Sequence, residues 1–155
     1  MTWTTPLRRI VCTTSLCLAA LAPAWASALA KDMVSIRGST VNMRAGPGTH
    51  SMVLWELDRG YPLQVLKRRG AWLQVRDYEN DRGWVARRLT GHTPHHVVKS
   101  RVANVRSGPG MQHRVVGKAV QGEVLRTEQT RAKWVKVRRG SGQSGWISRP
   151  LLWGW

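Results

Sequence analysis

The sequence predicts an all-β protein made of two small β-barrels in tandem, which follow an N-terminal signal peptide. The first observation is an internal repeat: Asn-Met-Arg-Ala-Gly-Pro-Gly at residues 42–48 returns as Asn-Val-Arg-Ser-Gly-Pro-Gly at residues 104–110. The second is that short runs alternate apolar and polar residues and end at glycine or polar turns, as β-strands do. No segment sustains the 3.6-residue period of a helix.

The repeat extends well beyond that motif. An offset of 62 positions aligns residues 41–89 with residues 103–151 without a gap, and sixteen of the forty-nine aligned pairs are identical. Trp72 coincides with Trp134 in this alignment. A period of this size, with glycine and tryptophan in step, is typical of one small fold made twice.

Each of the two predicted domains is small. The first covers residues 31–91, the second covers residues 97–155, and residues 92–96 form a linker. A domain of about sixty residues buries only about 60% of the surface of its unfolded chain, so it needs a compact barrel or covalent staples. The only cysteines, Cys12 and Cys17, precede both units. Neither a disulfide nor a thiolate metal site is therefore expected in the mature protein.

Residues 1–28 have the pattern of a secretory signal peptide. Two arginines precede an apolar run at residues 10–22, and small residues follow it, so cleavage is expected after Ala26 or Ala28. The run is about thirteen residues long, too short to span a bilayer comfortably, so no stable membrane insertion is expected after cleavage. The protein is predicted to be exported, to the periplasm or, alternatively, to another part of the cell envelope or the medium.

Charge is the unusual feature of the composition. The sequence has 25 basic and 8 acidic residues, and loss of residues 1–30 removes two arginines and leaves a formal charge of +15. Of this charge, +5 falls in residues 31–93 and +10 in residues 94–155. Such a surface attracts nucleic acid, anionic lipid head groups or acidic envelope glycopolymer through screened forces. The alternative is that the charge only keeps a small exported protein soluble.

The predicted strands follow the same order in both repeats. They cover residues 33–37, 40–44, 63–67, 71–76 and 83–86, and then residues 97–101, 103–106, 124–128, 133–138 and 145–147. Two structural turns are predicted at Gly46, Pro47 and Gly48 and at Gly108, Pro109 and Gly110. Proline fixes φ near −65° and glycine accepts a positive φ, so the residues favour type II turns.

These residues carry a resemblance to a known family. The motif N-x-R-x-G-P-G is followed by Trp72-x-x-Val75 and Gly83-Trp84-Val85, and the second repeat matches each part. As an ordered set they resemble the bacterial SH3-like (SH3b) domain, from about residue 33 to about residue 153. The resemblance implies a small, strongly bent antiparallel β-barrel found in exported bacterial proteins, often attached to cell-wall hydrolases and linked to wall peptide or glycan. It implies no particular ligand residue.

One face of a strand in each repeat could bind a ligand. Side chains alternate along a strand, so Leu73 and Val75 lie opposite the neighbouring tryptophan. Indole can stack on a sugar or peptide, while cationic and amide groups beside it hold an anionic group. Alternatively, each tryptophan covers an open end of its barrel. The candidate ligand-binding residues are Trp72, Gln74, Arg76, Trp134, Lys136 and Arg138.

The other tryptophans are assigned separately. Trp84 and Trp146 directly follow glycine and are predicted to lie in the core. Trp55 has no counterpart, because glycine stands at the equivalent position, so it is a candidate exposed contact of the first repeat alone. Trp153 and Trp155 either cap the second barrel or form a docking tail.

Two groups of residues have types that could bind a metal, namely His92, His95 and His96 between the repeats and Asp77, Glu79 and Asp81 in one hairpin loop. A metal site needs fixed geometry and usually a further ligand, so a solvent-exposed linker is favoured for the histidines. The loop lacks the glycine and the final glutamate of a calcium loop. No metal and no cofactor is predicted.

Sequence signatures of catalysis are missing. The chain has no G-x-S-x-G, no phosphate-binding glycine loop and no H-E-x-x-H. We therefore expect a non-catalytic exported envelope protein whose tandem modules recognise cell-wall peptidoglycan or a wall-associated protein, with two linked modules raising the apparent affinity. The alternatives are a polyanion, nucleic-acid or anionic-lipid binding protein driven by the positive charge, and an adaptor that docks an envelope protein.

Overall fold

The computed structural model describes Met1 and residues 31–155, so the predicted signal peptide lies outside the described residues. The described chain forms two seven-stranded antiparallel sheets and contains no α-helix. It accordingly has no helix with the length and hydropathy of a membrane span. The predicted fold class, two small β-barrels in tandem, is confirmed.

The two sheets have the same strand order. The first runs β3-β2-β6-β5-β4-β1-β7 and the second runs β10-β9-β13-β12-β11-β8-β14. A 3-10 turn precedes the last strand of each sheet, at Arg87–Leu89 and Arg149–Leu151. The first sheet contains β1 (Met33–Ile36), β2 (Thr40–Arg44), β3 (Val53–Asp58), β4 (Pro62–Arg69), β5 (Trp72–Arg76), β6 (Arg82–Ala86) and β7 (Thr90–Gly91). The second contains β8 (His95–Val98), β9 (Val102–Arg106), β10 (Val115–Val120), β11 (Val124–Arg131), β12 (Trp134–Arg138), β13 (Ser144–Ser148) and β14 (Leu152–Gly154).

Each of the ten predicted strands has a counterpart, although the strand predicted at residues 97–101 is observed at His95–Val98, and four further strands were missed. Two of these, β3 and β10, lie at the sheet edges, and the short strands β7 and β14 close the sheets at the other end. Five of the six residues of β3 are exposed, so its sequence lacks the alternation that marks a half-buried strand. Edge pairing is a tertiary effect that this local pattern does not contain.

Each barrel has its own core, because side chains alternate along curled strands. Leu73 and Val75 of β5 and Val85 of β6 are at most 2% exposed, and the residues between them face outward. The long strands β4 and β11 shift register by one residue in mid-strand, against β5 and β12 respectively. Such β-bulges increase bending, which lets a sheet of short strands close on itself.

The Gly-Pro-Gly segments form a different turn from the one predicted. Neither Gly48 nor Gly110 has a positive φ, so the type II assignment is wrong. Gly48 instead donates its amide to the carbonyl of Gly46 at 2.9 Å, a three-residue turn centred on proline, which the fixed φ of proline suits. A Cβ at Gly108 would lie within 2.6 Å of the His113 ring. There the glycine is needed for space, not for a left-handed backbone.

The arginine of the repeated motif holds the loop that follows the turn. Arg44 donates from Nη1 to the carbonyl of Ser51 at 2.8 Å. Arg106 donates from Nη1 to the carbonyls of Met111 at 3.0 Å and His113 at 2.8 Å. The N-x-R-x-G-P-G motif is therefore a strand end whose arginine ties down the next loop.

The two barrels touch each other directly. Ser35, which is 2% exposed, donates its hydroxyl to the carbonyl of Thr93 at 2.8 Å. Gly60 has a φ of +84°, and a Cβ there would lie 2.9 Å from two atoms of the His95 ring and 3.3 Å from Val124. Gly60 thus combines a left-handed turn with close contact to the second barrel. Its repeat partner Gly122 has a φ of +81° and no such crowding.

Two of the histidines assigned to the linker belong to strand β8, which pairs with β11 and β14. His96 is 1% exposed, so the prediction of a solvent-exposed linker is wrong at this residue. Its Nε2 lies 2.7 Å from the carbonyl of Trp155 and its Nδ1 lies 2.7 Å from the Thr127 hydroxyl. A carbonyl only accepts, so Nε2 donates to it. Burial lowers the pKa of His96 and so favours the neutral imidazole, in which Nδ1 accepts from the Thr127 hydroxyl.

His96 is expected to make stability depend on pH. Burial, together with the nearby positive charge of Arg149, lowers the pKa of His96 from 6.5 to about 4. As the pH falls below 6.5, the unfolded chain binds a proton that the folded chain does not, so stability is lost between pH 6.5 and 4. The loss attributable to His96 amounts to about 3 kcal/mol. Urea denaturation across this pH range measures it.

The variant His96→Gln can donate and accept as His96 does but does not titrate, so its free energy of unfolding should vary less over the same range. The exposed His92→Gln is the matched control and should keep the wild-type profile. A wild-type free energy of unfolding that is flat between pH 6.5 and 4 would contradict this assignment.

Loss of the motif arginine should loosen the second barrel. We expect Arg106→Met to lower the free energy of unfolding by about 1 to 2 kcal/mol, because two carbonyls lose a charged donor. Arg114→Met removes an exposed arginine from the same loop and should change stability by less than about 0.5 kcal/mol. Urea titrations followed by tryptophan fluorescence compare the two. Equal losses would show that the loop does not depend on Arg106.

Candidate functional site

A cleft of about 690 Å³ opens on the first barrel, which is within the range of small-ligand sites. It lies between β2, the turn from β4 to β5, and the 3-10 turn after β6. Trp72 supplies its aromatic wall. The polar groups that line it include Asn42, Arg37, Arg44, Thr49, Arg87 and Arg88.

Strand alternation places Trp72 in this cleft. It is the first residue of β5 and is half-buried, while Leu73 beside it points into the core with 2% exposure. The amide of Arg87 donates to the carbonyl of Ala71 at 2.8 Å. This bond fixes the 3-10 turn against the start of β5 and so brings Arg87 and Arg88 alongside the indole.

The described lining of the cleft contains four arginines and no carboxylate. Arg37, Arg87 and Arg88 are exposed, and in residues 31–155 none of them forms an ion pair with a carboxylate. No histidine, cysteine or carboxylate is among the residues that line the described cleft. An indole face beside guanidinium and amide groups can stack on a ring and hold an anion, but it offers no general base and no nucleophile.

The structure separates the predicted ligand residues of the first repeat. Trp72 lines the cleft, whereas Gln74 and Arg76 lie on the same face of β5 but outside its lining. Arg76 donates to the side chain of Gln64 at 2.6 Å and to that of Asn80 at 3.2 Å. Its Nε is buried without a partner among the described residues. Arg76 therefore ties β5 to β4 and to the following loop.

Two of the predicted ligand residues of the second repeat form ion pairs with a carboxylate. The Lys136 ammonium lies 3.5 Å and the Arg138 guanidinium 2.6 Å from Glu128. The hydrogen bond from Arg138 holds the pKa of Glu128 below its usual range. Trp134 is half-buried at the start of β12. Part of the positive charge beside Trp134 is thus already neutralised.

Trp84 and Trp146 differ in burial: Trp146 is buried, as predicted, whereas Trp84 is not. Trp84 pairs with Gln74 across the sheet and is half-buried, so its assignment to the core is wrong. Trp146 is 7% exposed, and the Arg131 guanidinium lies 5.5 Å from its ring centroid. Trp146 is buried as predicted, but on the face that Lys136 shares. Side chains alternate along β6 and β13, and the residues next to the tryptophans, Val85 and Ile147, point into the interior. The tryptophans therefore point to the opposite face of the sheet.

The remaining tryptophans have distinct surroundings. Trp55 is 53% exposed on the edge strand β3, as expected for a residue without a repeat partner. Trp153 belongs to β14, which pairs with β8, and the Lys31 ammonium lies 5.9 Å from its ring centroid. Trp155 is half-buried, and its carbonyl accepts the bond from His96. Of the two alternatives for Trp153 and Trp155, these contacts fit a cap on the second barrel and not a docking tail.

The three acidic residues of the loop between β5 and β6 are close together because of hydrogen bonds within the loop. Oxygen atoms of Asp77, Glu79 and Asp81 lie within 4.8 Å of one another. Asp77, which is 5% exposed, accepts the amides of Glu79 and Asp81 at 2.9 Å each and the hydroxyl of Tyr61 at 3.3 Å. Burial and the Asp77 charge raise the pKa of Tyr61. These bonds shape the hairpin loop around Asp77.

Sequence reasoning missed Arg37, Arg87, Arg88 and Thr49. The repeat does mark one of them, because Arg87 recurs as Arg149, but Arg88 is replaced by Pro150 in the second repeat. The proximity of these residues to Trp72 arises from the curled sheet and the 3-10 turn. A strand-by-strand pattern does not contain that information.

Known proteins match this chain in sequence. The family model described as bacterial SH3 domain matches residues 37–91 and 99–154. A Bacillus subtilis (strain 168) protein named as an N-acetylmuramoyl-L-alanine amidase, YrvJ, is 28% identical over 145 residues. That alignment covers 86% of this chain and 28% of the relative, so the chain spans little more than a quarter of it.

Solved structures also match. NlpC1 from Trichomonas vaginalis is 15% identical with a TM-score of 0.37, and the match covers 87% of this chain and 50% of that one. An NlpC/P60 family protein from Bacillus cereus ATCC 10987 is 14% identical with a TM-score of 0.36, covering 78% and 55%. The two family matches account for most of the described residues and coincide with the two seven-stranded sheets. The chain belongs to the bacterial SH3 domain family and carries two copies of the domain in tandem.

Proposed function

We propose that the protein is a non-catalytic binding protein of the cell envelope, and that its first barrel recognises cell-wall peptidoglycan through the cleft beside Trp72. The observation that carries the proposal is one half-buried indole next to three exposed arginines, with no acid in the cleft lining. Peptidoglycan offers the matching chemistry: sugar rings with apolar faces, and peptides with free carboxylates.

Each part of the cleft has a role in this recognition. Trp72 stacks on a ring or on the peptide backbone, since indole combines a large apolar face with defined geometry. Arg87 and Arg88 hold a carboxylate, because guanidinium groups bind carboxylates with two parallel hydrogen bonds. Asn42 supplies amide donors and acceptors for sugar hydroxyls.

The proposal assigns binding rather than bond cleavage to the chain. The described cleft lining holds no histidine, cysteine or carboxylate, so its threonine hydroxyls have no general base beside them in the lining that would activate them as nucleophiles. The amidase relative named above is consistent with SH3 modules that accompany wall-acting enzymes, and the chain corresponds to 28% of that relative. A wall-associated protein remains the alternative partner.

The second barrel strengthens binding without duplicating the site. Trp134 and Arg149 correspond to Trp72 and Arg87, but Met111 replaces Thr49 and the nearby cations are paired with Glu128. We assign it a weaker contact that raises the apparent affinity through effective concentration. Gln74, Arg76, Lys136 and Arg138 stay candidate contacts on the adjoining faces.

Location follows from the same proposal. A wall-binding role requires export, which the signal pattern of residues 1–28 supplies, and we place the mature protein in the periplasm. Its predicted domains are residues 31–91 and 97–155, but the second barrel already begins at His95, the first residue of β8, inside the predicted linker of residues 92–96. The positive charge would then add attraction to anionic envelope polymers.

The test is co-sedimentation with purified sacculi at two salt concentrations. We expect Trp72→Ala to weaken binding about tenfold, because one aromatic contact of order 1.4 kcal/mol is lost. Trp55→Ala removes an equally large indole that does not line the cleft and is the matched control, which should pellet like wild type. Trp134→Ala should have a smaller effect than Trp72→Ala.

Salt separates stacking from electrostatic attraction. Pelleting through the cleft should persist at moderate salt, whereas polyanion binding driven by charge alone falls steeply. If folded wild type fails to pellet at either salt, wall binding is rejected. If Trp72→Ala pellets like Trp55→Ala, the cleft is not the site.

A further inference from the structure

We propose that the junction between the two barrels is a binding site for a phosphate group. A second cleft, of about 480 Å³, lies there and is lined by residues of both barrels. Arg37 and Arg59 reach it from the first barrel, and Arg126 reaches it from the second. His95, Thr93 and Ser35 complete its polar lining. The site goes beyond the wall-binding cleft, with which it shares only Arg37 among these six residues.

The three arginines of the junction are uncompensated. Other arginines of the chain are paired: Arg68 with Asp32, and Arg139 with Glu123. Across residues 31–155, by contrast, the side chains of Arg37, Arg59 and Arg126 make neither an ion pair nor a hydrogen bond. Three like charges at one cleft repel each other, and an anion placed between them removes that repulsion.

The backbone that carries these arginines is held in place. The Arg37 amide donates to the carbonyl of Leu89 at 2.8 Å, and the Arg37 side-chain stem packs so closely on Gly91 that a Cβ there would lie 2.8 Å away. The bond from Ser35 to Thr93 joins the two sides of the cleft. The backbone and side-chain stem of Arg37 are thus ordered before binding, which removes part of the ordering cost of binding.

The chemistry of the cleft favours phosphate over carboxylate. A guanidinium fork occupies both oxygens of a carboxylate, whereas a phosphate has further oxygens for a second and a third fork. Arginines reaching from two barrels match an acceptor with that many oxygens. The positive charge of the second barrel brings anions to the junction.

The pKa of His95 is expected to change when phosphate occupies the junction cleft, because His95 lines that cleft. Its Nδ1 donates to the carbonyl of Thr93 at 2.9 Å, and its ring packs against Gly60. Burial lowers the pKa of His95, and the positive charge of Arg126 lowers it further. A phosphate bound among Arg37, Arg59 and Arg126 would offset this charge, so the His95 imidazole should titrate at higher pH when phosphate is present.

The test is titration of the full chain with inorganic phosphate, followed by calorimetry and by NMR of His95. We expect one saturable site and an upward shift of the His95 titration. Arg59→Gln with Arg126→Gln should weaken binding about tenfold or more, because two charged donors are lost. Arg101→Gln with Arg114→Gln removes the same charge from exposed positions outside the junction and should change affinity less than about twofold.

Further variants and ligands test the geometry and the source of the phosphate. Arg59→Lys keeps the positive charge but loses the paired guanidinium donors, so a partial loss of phosphate affinity supports binding by the guanidinium group. Vesicles of phosphatidylglycerol, compared with phosphatidylcholine, distinguish a lipid head group from free phosphate as the source. Neither Arg59 nor Arg126 lines the cleft beside Trp72, so the junction variant should still pellet with sacculi. Absence of saturable phosphate binding, or equal loss in both double variants, would overturn the proposal.

Discussion

The alternation of side chains along the strands of a curled sheet is the constraint on which the rest of this structure depends. The inward positions of β5 and β6 hold leucine, valine and glycine, because a sixty-residue barrel has little interior volume. The larger tryptophans therefore face outward, where they meet the arginines of neighbouring turns. An aliphatic core and outward-facing tryptophans both follow from this alternation.

The same constraint acts where the barrels meet. Gly60 supplies a left-handed turn, and its missing side chain admits the His95 ring at contact distance. Ser35 completes the junction by a buried hydrogen bond to Thr93. Residues 92–96 thus connect two barrels that touch, and strand β8 begins within this segment at His95. The junction therefore depends on residues of both halves of the chain, because Gly60 packs against His95 and Ser35 bonds to Thr93.

Much of the fold could be predicted from the sequence. The repeat and the alternation predicted two small β domains and ten strands, and the resemblance carried by the ordered motif implied the barrel and the family. The edge strand β3 was missed because its apolar residues do not alternate with polar ones: Val53, Leu54 and Trp55 are consecutive and exposed, and of the six residues only Leu57 is buried. Trp84 was assigned to the core because glycine precedes it, although alternation relative to Val85 places it outside. The arginines beside Trp72 were missed because only the 3-10 turn brings them there.

The account predicts that ligand recognition occurs on the outer face of the first barrel, at the start of β5. Titration of the labelled protein with a soluble peptidoglycan fragment, followed by NMR, tests this most directly. The largest changes should be at the Trp72 indole N–H and the amides of Arg87–Leu89, with smaller changes at Trp134. Changes centred on the Trp55 edge strand, or spread evenly over basic residues of both barrels, would contradict the account.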